Sequence, residues 1–135
     1  MKLFLDTNAI VYLVEAVDPW YGRVRQILQE HFQRHGRVGI AVSALSWLEC
    51  RIKPLRDGDQ TLLARYETFF SRPGLCVCPV DMQVLDRAAR LRAAHRLRTP
   101  DAIQVASAVT LEEEIGFVTA DVELGRVTEL RLVAL

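Results

Sequence analysis

The stretch LFLDTN, residues 3–8, places a carboxylate directly after a short apolar run. Three consecutive apolar side chains that end in an acid indicate a buried strand whose last residue reaches the edge of the core. Asp is also a common turn former, so Asp6 taken alone has an ordinary structural explanation. Asp6 becomes a candidate functional residue only if other acids follow other strands in the same way.

The composition is that of an ordinary globular chain of 135 residues, half of them hydrophobic and a quarter charged. This length is typical of one domain, so we expect a single domain over residues 1–135. The 17 basic and 17 acidic residues cancel, and net charge therefore neither favours nor excludes a nucleic-acid partner. No apolar run approaches the ~20 residues of a membrane span, and the first residues do not resemble a signal peptide. We expect a cytoplasmic protein with no membrane role.

The cysteines favour a reducing compartment. Cys50, Cys76 and Cys78 form an odd set without a C-x-x-C motif, and none of the three histidines lies at a zinc-like spacing from them. We expect buried free thiols.

Short apolar strands alternate with helices along the whole chain, without linkers or repeats. The predicted strands cover 2–6, 38–42, 75–80, 115–121 and 130–135. Four helices are predicted at 8–17, 20–36, 43–52 and 58–71, of which the second is closed by Gly36 and the third is ended by Pro54. A fifth helix runs to 96 and has Asp81 as its N-cap. A sixth has Thr99 as its N-cap and Pro100 at its first position. This alternation predicts the α/β class, with a mostly parallel sheet between two helical layers in an α/β/α arrangement.

Four acids are expected at one edge of that sheet, where α/β proteins bind ligands. Asp6 and Asp121 follow strands directly, Glu49 lies in the apolar helix after the second strand, and Asp101 begins a helix. Each has an alternative: Asp6 and Asp121 can be turn residues, and Asp101 can stabilise a helix dipole. Glu49 can form a capping box with Ser46, although Ser46 would then have to start a helix that is expected to begin at Ser43. Together, however, clustered carboxylates repel unless a cation neutralises them. Their hard oxygen ligands suit Mg²⁺ or Mn²⁺, and the lack of His or Cys argues against zinc.

Four stretches in order make the sequence similar to the PIN-domain family, and within it to the VapC-like toxin ribonucleases of bacterial toxin–antitoxin pairs. They are FLDTNAIVYL, VSALSWLEC, TPDAIQVASAV and GFVTADVEL. The resemblance implies a compact α/β/α domain whose acidic metal site consists of Asp6, Glu49, Asp101 and Asp121. The family often has Asn in place of Asp121. Thr119 matches the hydroxyl residue that the family keeps beside its last acid.

The resemblance also implies the role of each residue. Asp6 and Asp101 would contact the metal directly. Glu49 would bind it through water or act as a general base, and Asp121 would complete a second metal position. Thr119 would orient a carboxylate or a water.

The implied function is that of a Mg²⁺-dependent endoribonuclease, with Mn²⁺ as a possible substitute, that acts as the toxin of the pair. Its partners would be an RNA substrate, a second copy in a homodimer and a cognate antitoxin, of which an Arg could fill the acidic site. The alternatives are a PIN-fold nuclease of RNA processing or DNA-structure cleavage, and a catalytically silent binding module, which the presence of all four acids disfavours. A haloacid dehalogenase phosphatase would need D-x-D, but position 8 is Asn. A receiver domain would need a late Lys, and none occurs beyond Lys53.

Overall fold

The computed structural model describes residues 1–135 as one five-stranded sheet flanked by helices. The strands are β1 Lys2–Leu5, β2 Ile40–Ser43, β3 Cys76–Cys78, β4 Ile115–Thr119 and β5 Arg131–Ala134. The helices are α1 Thr7–Val14, α2 Trp20–His35, α3 Ala44–Asp57, α4 Gln60–Phe70, α5 Met82–His95 and α6 Thr99–Thr110, with a short 3₁₀ helix at Val122–Arg126. All five predicted strands are present, and the 3₁₀ helix is the one element that the sequence did not predict.

The sheet has the strand order β3-β2-β1-β4-β5, and every neighbouring pair is parallel. The predicted α/β class is therefore confirmed, and the sheet is wholly rather than mostly parallel. The chain moves outward from β1 to β3 and then returns to place β4 on the other side of β1. This reversal creates a crevice at the carboxyl ends of β1 and β4, the kind of position where open α/β sheets bind ligands.

Alternating residues of the central strands fill the two faces of the sheet. Phe4 and Phe117 stack with ring centroids 5.3 Å apart on the face covered by α5 and α6. Leu3, Leu5 and Val118 belong to the core on the opposite face, together with residues of α1 to α4. All five side chains are almost completely buried. Because strand side chains alternate between faces, a strand buried on both sides has a continuous apolar sequence, as LFL does.

Most helix ends lie within a few residues of their predicted positions, and their caps explain why. Gly36 adopts φ 72° and closes α2, as predicted. The Oδ1 atom of Asp81 accepts a hydrogen bond from the Val84 amide at 3.0 Å, which confirms Asp81 as the N-cap of α5. At the start of α1, Asp6 is the cap rather than the last strand residue.

Two predicted helix boundaries were wrong. Pro54 does not end α3, which continues to Asp57 and stops at Gly58 with φ 65°. Pro54 is buried, and its packing compensates for the backbone bond that a helical Pro loses. Thr99 is the first residue of α6 rather than its N-cap, and Arg98 occupies the cap position without a side-chain capping bond.

The three cysteines are free thiols, as predicted, with Cys50 and Cys78 buried and Cys76 half-buried. Burial raises the pKa of both buried thiols to about 12, so they remain protonated at neutral pH. No helix combines the length and the apolarity that crossing a membrane requires.

Candidate active site

Asp6 lies at the junction of β1 and α1. Its backbone continues the strand pairing, and its side chain caps the helix. Its amide donates to the carbonyl of Val118 at 3.3 Å, which continues the pairing of β1 with β4. Its Oδ1 accepts the amide of Ala9 at 2.8 Å, which begins α1. The carboxylate is thereby fixed at the carboxyl end of the central strand, half-buried at the crevice.

Two of the other predicted acids, Asp101 and Asp121, lie close enough to Asp6 to influence its ionisation. Burial raises the pKa of Asp6 above its usual range, and the negative charges of Asp101 and Asp121 raise it further. Hydrogen bonds from the Thr119 hydroxyl and the Ala9 amide lower this pKa without reversing the shift. The sheet edge therefore concentrates negative charge at Asp6, a distribution that a bound cation would relieve.

Thr119 connects two of these acids. It is the last residue of β4 and is fully buried. Its Oγ1 accepts the amide of Asp121 at 3.0 Å. Its hydroxyl also lies close enough to Asp6 to lower the pKa of that carboxyl. Thr119 therefore lies between the side chains that follow β1 and β4.

Asp101 and Asp121 also have the local structural roles that the sequence left open. Asp101 lies in the first turn of α6, and the Nε of Arg98 is 3.2 Å from its Oδ2. Asp121 caps the 3₁₀ helix by accepting the amide of Glu123 at 3.0 Å. These structural roles leave a metal-binding role open to both acids. Each carboxylate has a second oxygen to which the structure assigns no hydrogen bond.

Glu49 is held through a residue that the sequence analysis did not single out. Its Oε1 accepts the hydroxyl of Thr7 at 2.7 Å. The Thr7 oxygen is in turn 2.8 Å from the Ser46 Oγ and 3.0 Å from the amide nitrogen of Gln104. The available signal was Gln104, a long polar side chain among the mainly apolar residues of α6.

The carboxylates do not form a ready-made ligand cage. No group of three or more His, Cys, Asp and Glu side chains is arranged in the structure so as to hold a metal ion. Mg²⁺ usually keeps several waters and takes only one or two protein carboxylates. The all-oxygen set at this edge, with its concentrated charge at Asp6, therefore fits a hydrated Mg²⁺ or Mn²⁺ ion.

The largest cavities are not at this site. One of about 500 Å³ lies at the opposite edge of the sheet, where Met1, His35 and Arg37 contribute to its lining. Another of about 420 Å³ lies nearby, where Met1, His31 and Arg131 contribute to its lining. Asp6, Glu49 and Asp101 are instead half-buried and Asp121 is exposed, so solvent reaches the carboxylates at this edge of the sheet. The side chains, rather than cavity size, indicate the candidate site.

Comparison with known protein families agrees with this geometry. The sequence model of the family described as PIN domain matches residues 3–130. The chain belongs to the PIN domain family. The match extends from β1 nearly to β5, so it includes all four acids and the crevice between β1 and β4.

Solved structures with the same fold include components of toxin–antitoxin complexes. VapBC2 from Rickettsia felis bound to a promoter DNA fragment contains a chain with TM-score 0.75 and 17% identity, and the match covers 100% of this PIN domain chain and 99% of that chain. A toxin–antitoxin complex from Klebsiella pneumoniae gives TM-score 0.71 and 18% identity over 99% and 97% of the two chains. DNA-bound VapBC from Salmonella typhimurium gives TM-score 0.68 and 21% identity, and the match covers 99% of this chain and 98% of that chain. At these identities the likeness demonstrates the shared fold. No curated protein sequence matches the chain.

The environment of Asp6 predicts that Asp6→Asn stabilises the metal-free PIN domain at neutral pH. The raised pKa of Asp6 means that the folded protein favours the protonated side chain. The resulting contribution of Asp6 to stability is complete below its unfolded-state pKa of about 3.9. It is lost as the pH rises through the folded-state pKa. Asn stays neutral and can still cap α1. The free energy of unfolding of the variant in EDTA, measured with urea, should exceed that of the wild type increasingly from pH 4 to pH 7.

Asp81→Asn is the matched control, since Asp81 caps α5 through the same type of bond but is exposed. Comparison of the two variants separates the loss of a capping charge from the loss of a half-buried charge beside other acids. Equal stability of Asp6→Asn and the wild type across this range would contradict the predicted charge repulsion.

Proposed function

We propose that this chain is a Mg²⁺-dependent endoribonuclease that acts as the toxin of a toxin–antitoxin pair. The observation that carries the proposal is the placement of Asp6, Asp101 and Asp121 together at the carboxyl edge of the sheet, where burial and the charges of the other two raise the pKa of Asp6. Such a site repels a phosphate backbone unless a cation is present. A divalent ion is therefore needed for substrate to approach as well as to react.

In the proposed site, Asp6 and Asp101 would hold the ion, and Asp121 would border it beside Thr119. The chemistry that Mg²⁺ supplies when bound at such carboxylates is polarisation of a phosphoryl oxygen and a lowered pKa of water. Mn²⁺, with similar oxygen preferences, is expected to substitute.

The proposed role of Glu49 follows from its hydrogen bonding. One of its oxygens accepts the Thr7 hydroxyl, which leaves the other oxygen to accept a proton from the attacking water as a general base. Thr119 keeps the Asp6 carboxylate in place and so acts as a positioning residue.

Support for the toxin role comes from family membership together with fold neighbours that are components of VapBC and other toxin–antitoxin complexes. The proposal includes a cognate antitoxin partner, a homodimer and action on RNA in the cytoplasm. The structure contains an exposed helical surface with room for such a partner, since Leu48, Ile52 and Leu55 on α3 are each about half exposed.

The direct test is RNA cleavage by the purified chain, freed of any copurifying partner. We expect endonucleolytic products from single-stranded or structured RNA in millimolar Mg²⁺ or Mn²⁺, and none in EDTA. Activity should return when the ion is added back, because the carboxylates hold it reversibly. A DNA substrate of matched sequence tests the choice of nucleic acid. Cleavage of DNA alone would favour the DNA-structure nuclease, and no cleavage of either would contradict the nuclease proposal.

A further inference from the structure

We infer that Gln104 is a positioning residue that holds the Glu49 side chain in place through the hydroxyl of Thr7. The inference rests on the proposed function for its catalytic consequence. The contact chain itself runs from α6 through the first residue of α1 to α3. Asp101 lies in α6, Glu49 lies in α3, and Asp6 directly precedes α1. The buried Gln104 side chain therefore connects the helices that position three of the four acids.

The amide of Gln104 makes two hydrogen bonds at the centre of this network. Its Nε2 donates to the Thr7 Oγ1 at 3.0 Å and to the Ser46 Oγ at 2.9 Å. The two hydroxyl oxygens are 2.8 Å apart, and Thr7 donates to the Oε1 of Glu49 at 2.7 Å. Gln104, Thr7 and Ser46 therefore form three mutual hydrogen bonds, and one further bond connects Thr7 to the Glu49 carboxylate.

The direction of the donors follows from this network. Gln104 uses both amide hydrogens, one for each hydroxyl oxygen. Thr7 has one hydrogen, which it gives to Glu49, so the short contact between the hydroxyls requires Ser46 to donate to Thr7. The Thr7 oxygen thus accepts two bonds and donates one, and its hydrogen is directed at the carboxylate. Without Gln104, the Thr7 and Ser46 hydroxyls could each rotate to another acceptor.

The burial of Gln104 is difficult to explain by stability alone. Only 5% of the residue is exposed, and its Oε1 has no hydrogen-bond partner. A buried acceptor without a partner is unfavourable, and an apolar residue such as Leu would avoid it. A polar residue at this position is therefore better explained by the two donors that it directs at Thr7 and Ser46.

The same helix provides a matched control in Ser107, one turn further along α6. Ser107 is also buried. Its Oγ bonds to the Ser43 Oγ at 3.2 Å and to the carbonyl of Ile103 at 2.8 Å. It has no hydrogen bond to Thr7, Ser46 or Glu49. Ser107→Ala thus removes a buried hydroxyl from α6 while leaving the bonds to Glu49 intact.

The first experiment is a double-mutant cycle on RNA cleavage with Gln104→Leu and Glu49→Gln. Gln104→Leu should lower kcat by about 10-fold or more, as loss of an orienting partner typically does, with KM for RNA unchanged. In the Glu49→Gln background the same change should alter kcat by less than about 2-fold, because the residue through which it acts is already lost. Ser107→Ala should retain the wild-type kcat. Equal effects of Gln104→Leu in both backgrounds would overturn the inference.

The second experiment needs no activity. Three-bond Hα–Hβ couplings of Glu49, measured by NMR on the metal-free protein, report whether its side chain occupies one rotamer. We expect one rotamer in the wild type and in Ser107→Ala, and averaging in Gln104→Leu. If Gln104→Leu does not fold, Thr7→Val replaces it, with Thr7→Ser expected to restore the single rotamer.

The two experiments separate the inference from the proposed function. Unchanged Glu49 couplings in the folded variants would overturn the positioning role, whatever the enzymatic activity. A wild-type protein that cleaves no RNA, or a Glu49→Gln variant with full activity, would instead contradict the proposed function, while the couplings still decide whether Gln104 orders Glu49.

Discussion

Asp6→Asn and Asp101→Asn are each expected to lower the rate of RNA cleavage by about 100-fold or more. Residues that only orient a metal ligand typically contribute 10- to 100-fold, and a residue that holds the ion directly should contribute at least as much. Asn keeps the size of the side chain and, at position 6, the cap of α1, while it removes the charge that attracts the cation. Single-turnover cleavage at saturating Mg²⁺ and calorimetric titration with Mn²⁺ measure the two consequences separately.

Asp81→Asn is again the appropriate control, because Asp81 also follows a strand and caps a helix, and it should retain the wild-type rate. The free energy of unfolding distinguishes a loss of catalysis from a loss of folding. Asp6→Asn should cleave RNA far more slowly than the wild type and yet be more stable without metal. Such opposing effects are typical of residues kept for function at a cost in stability. Wild-type rates in Asp6→Asn or Asp101→Asn would contradict the assignment of these carboxylates to the metal.

Production of this chain alone in a bacterium is expected to arrest growth, and co-production of its cognate antitoxin should restore it. An inhibitor that covers the crevice gains by placing a guanidinium among the carboxylates, because Arg can pair with two oxygens at once. The site already accepts such a group, since the Nε of Arg98 lies 3.2 Å from Asp101. A small DNA-binding protein encoded beside this chain is the partner to test. Optical density and colony counts after induction provide the measurement.

The Asp6→Asn variant provides the control for this experiment, since it should be produced at the wild-type level without arresting growth. Arrest that persists in this variant would show that toxicity does not depend on the site. Harmless production of the wild type, with no binding by the neighbouring protein, would contradict the toxin role and leave the metal-dependent nuclease proposal standing.

The fold could be predicted from the sequence because local and global preferences agree. The LFL stretch predicts a strand buried on both faces, and Leu3, Phe4 and Leu5 are all buried in the central strand. Gly36 and Asp81 end and begin helices where their conformational preferences place them. Pro54 was misleading because burial in the packed protein outweighed its preference against helix interiors.

The candidate site could be predicted only in part. The positions of Asp6 and Asp121 after strands were enough to place both at one edge of a parallel sheet. The effect of Asp121 on Asp6 depends on the return of β4 to the side of β1. The alternation of helices and strands in the sequence does not determine which strands become neighbours. The sequence by itself also proposed Glu49, but it gave no indication that Thr7 would hold that carboxylate.

The sequence by itself determined the order of strands and helices, the parallel sheet with two buried faces, and the acids at the strand ends, since apolar periodicity and capping residues act over a few neighbouring positions. Only the tertiary structure decided which acids share an environment and which polar side chains order them. Gln104 and Thr7 are 97 positions apart in the chain and yet form a hydrogen bond of 3.0 Å. Such a contact requires α1, α3 and α6 to pack around the same sheet edge, and long-range packing, rather than any local preference, brings them together.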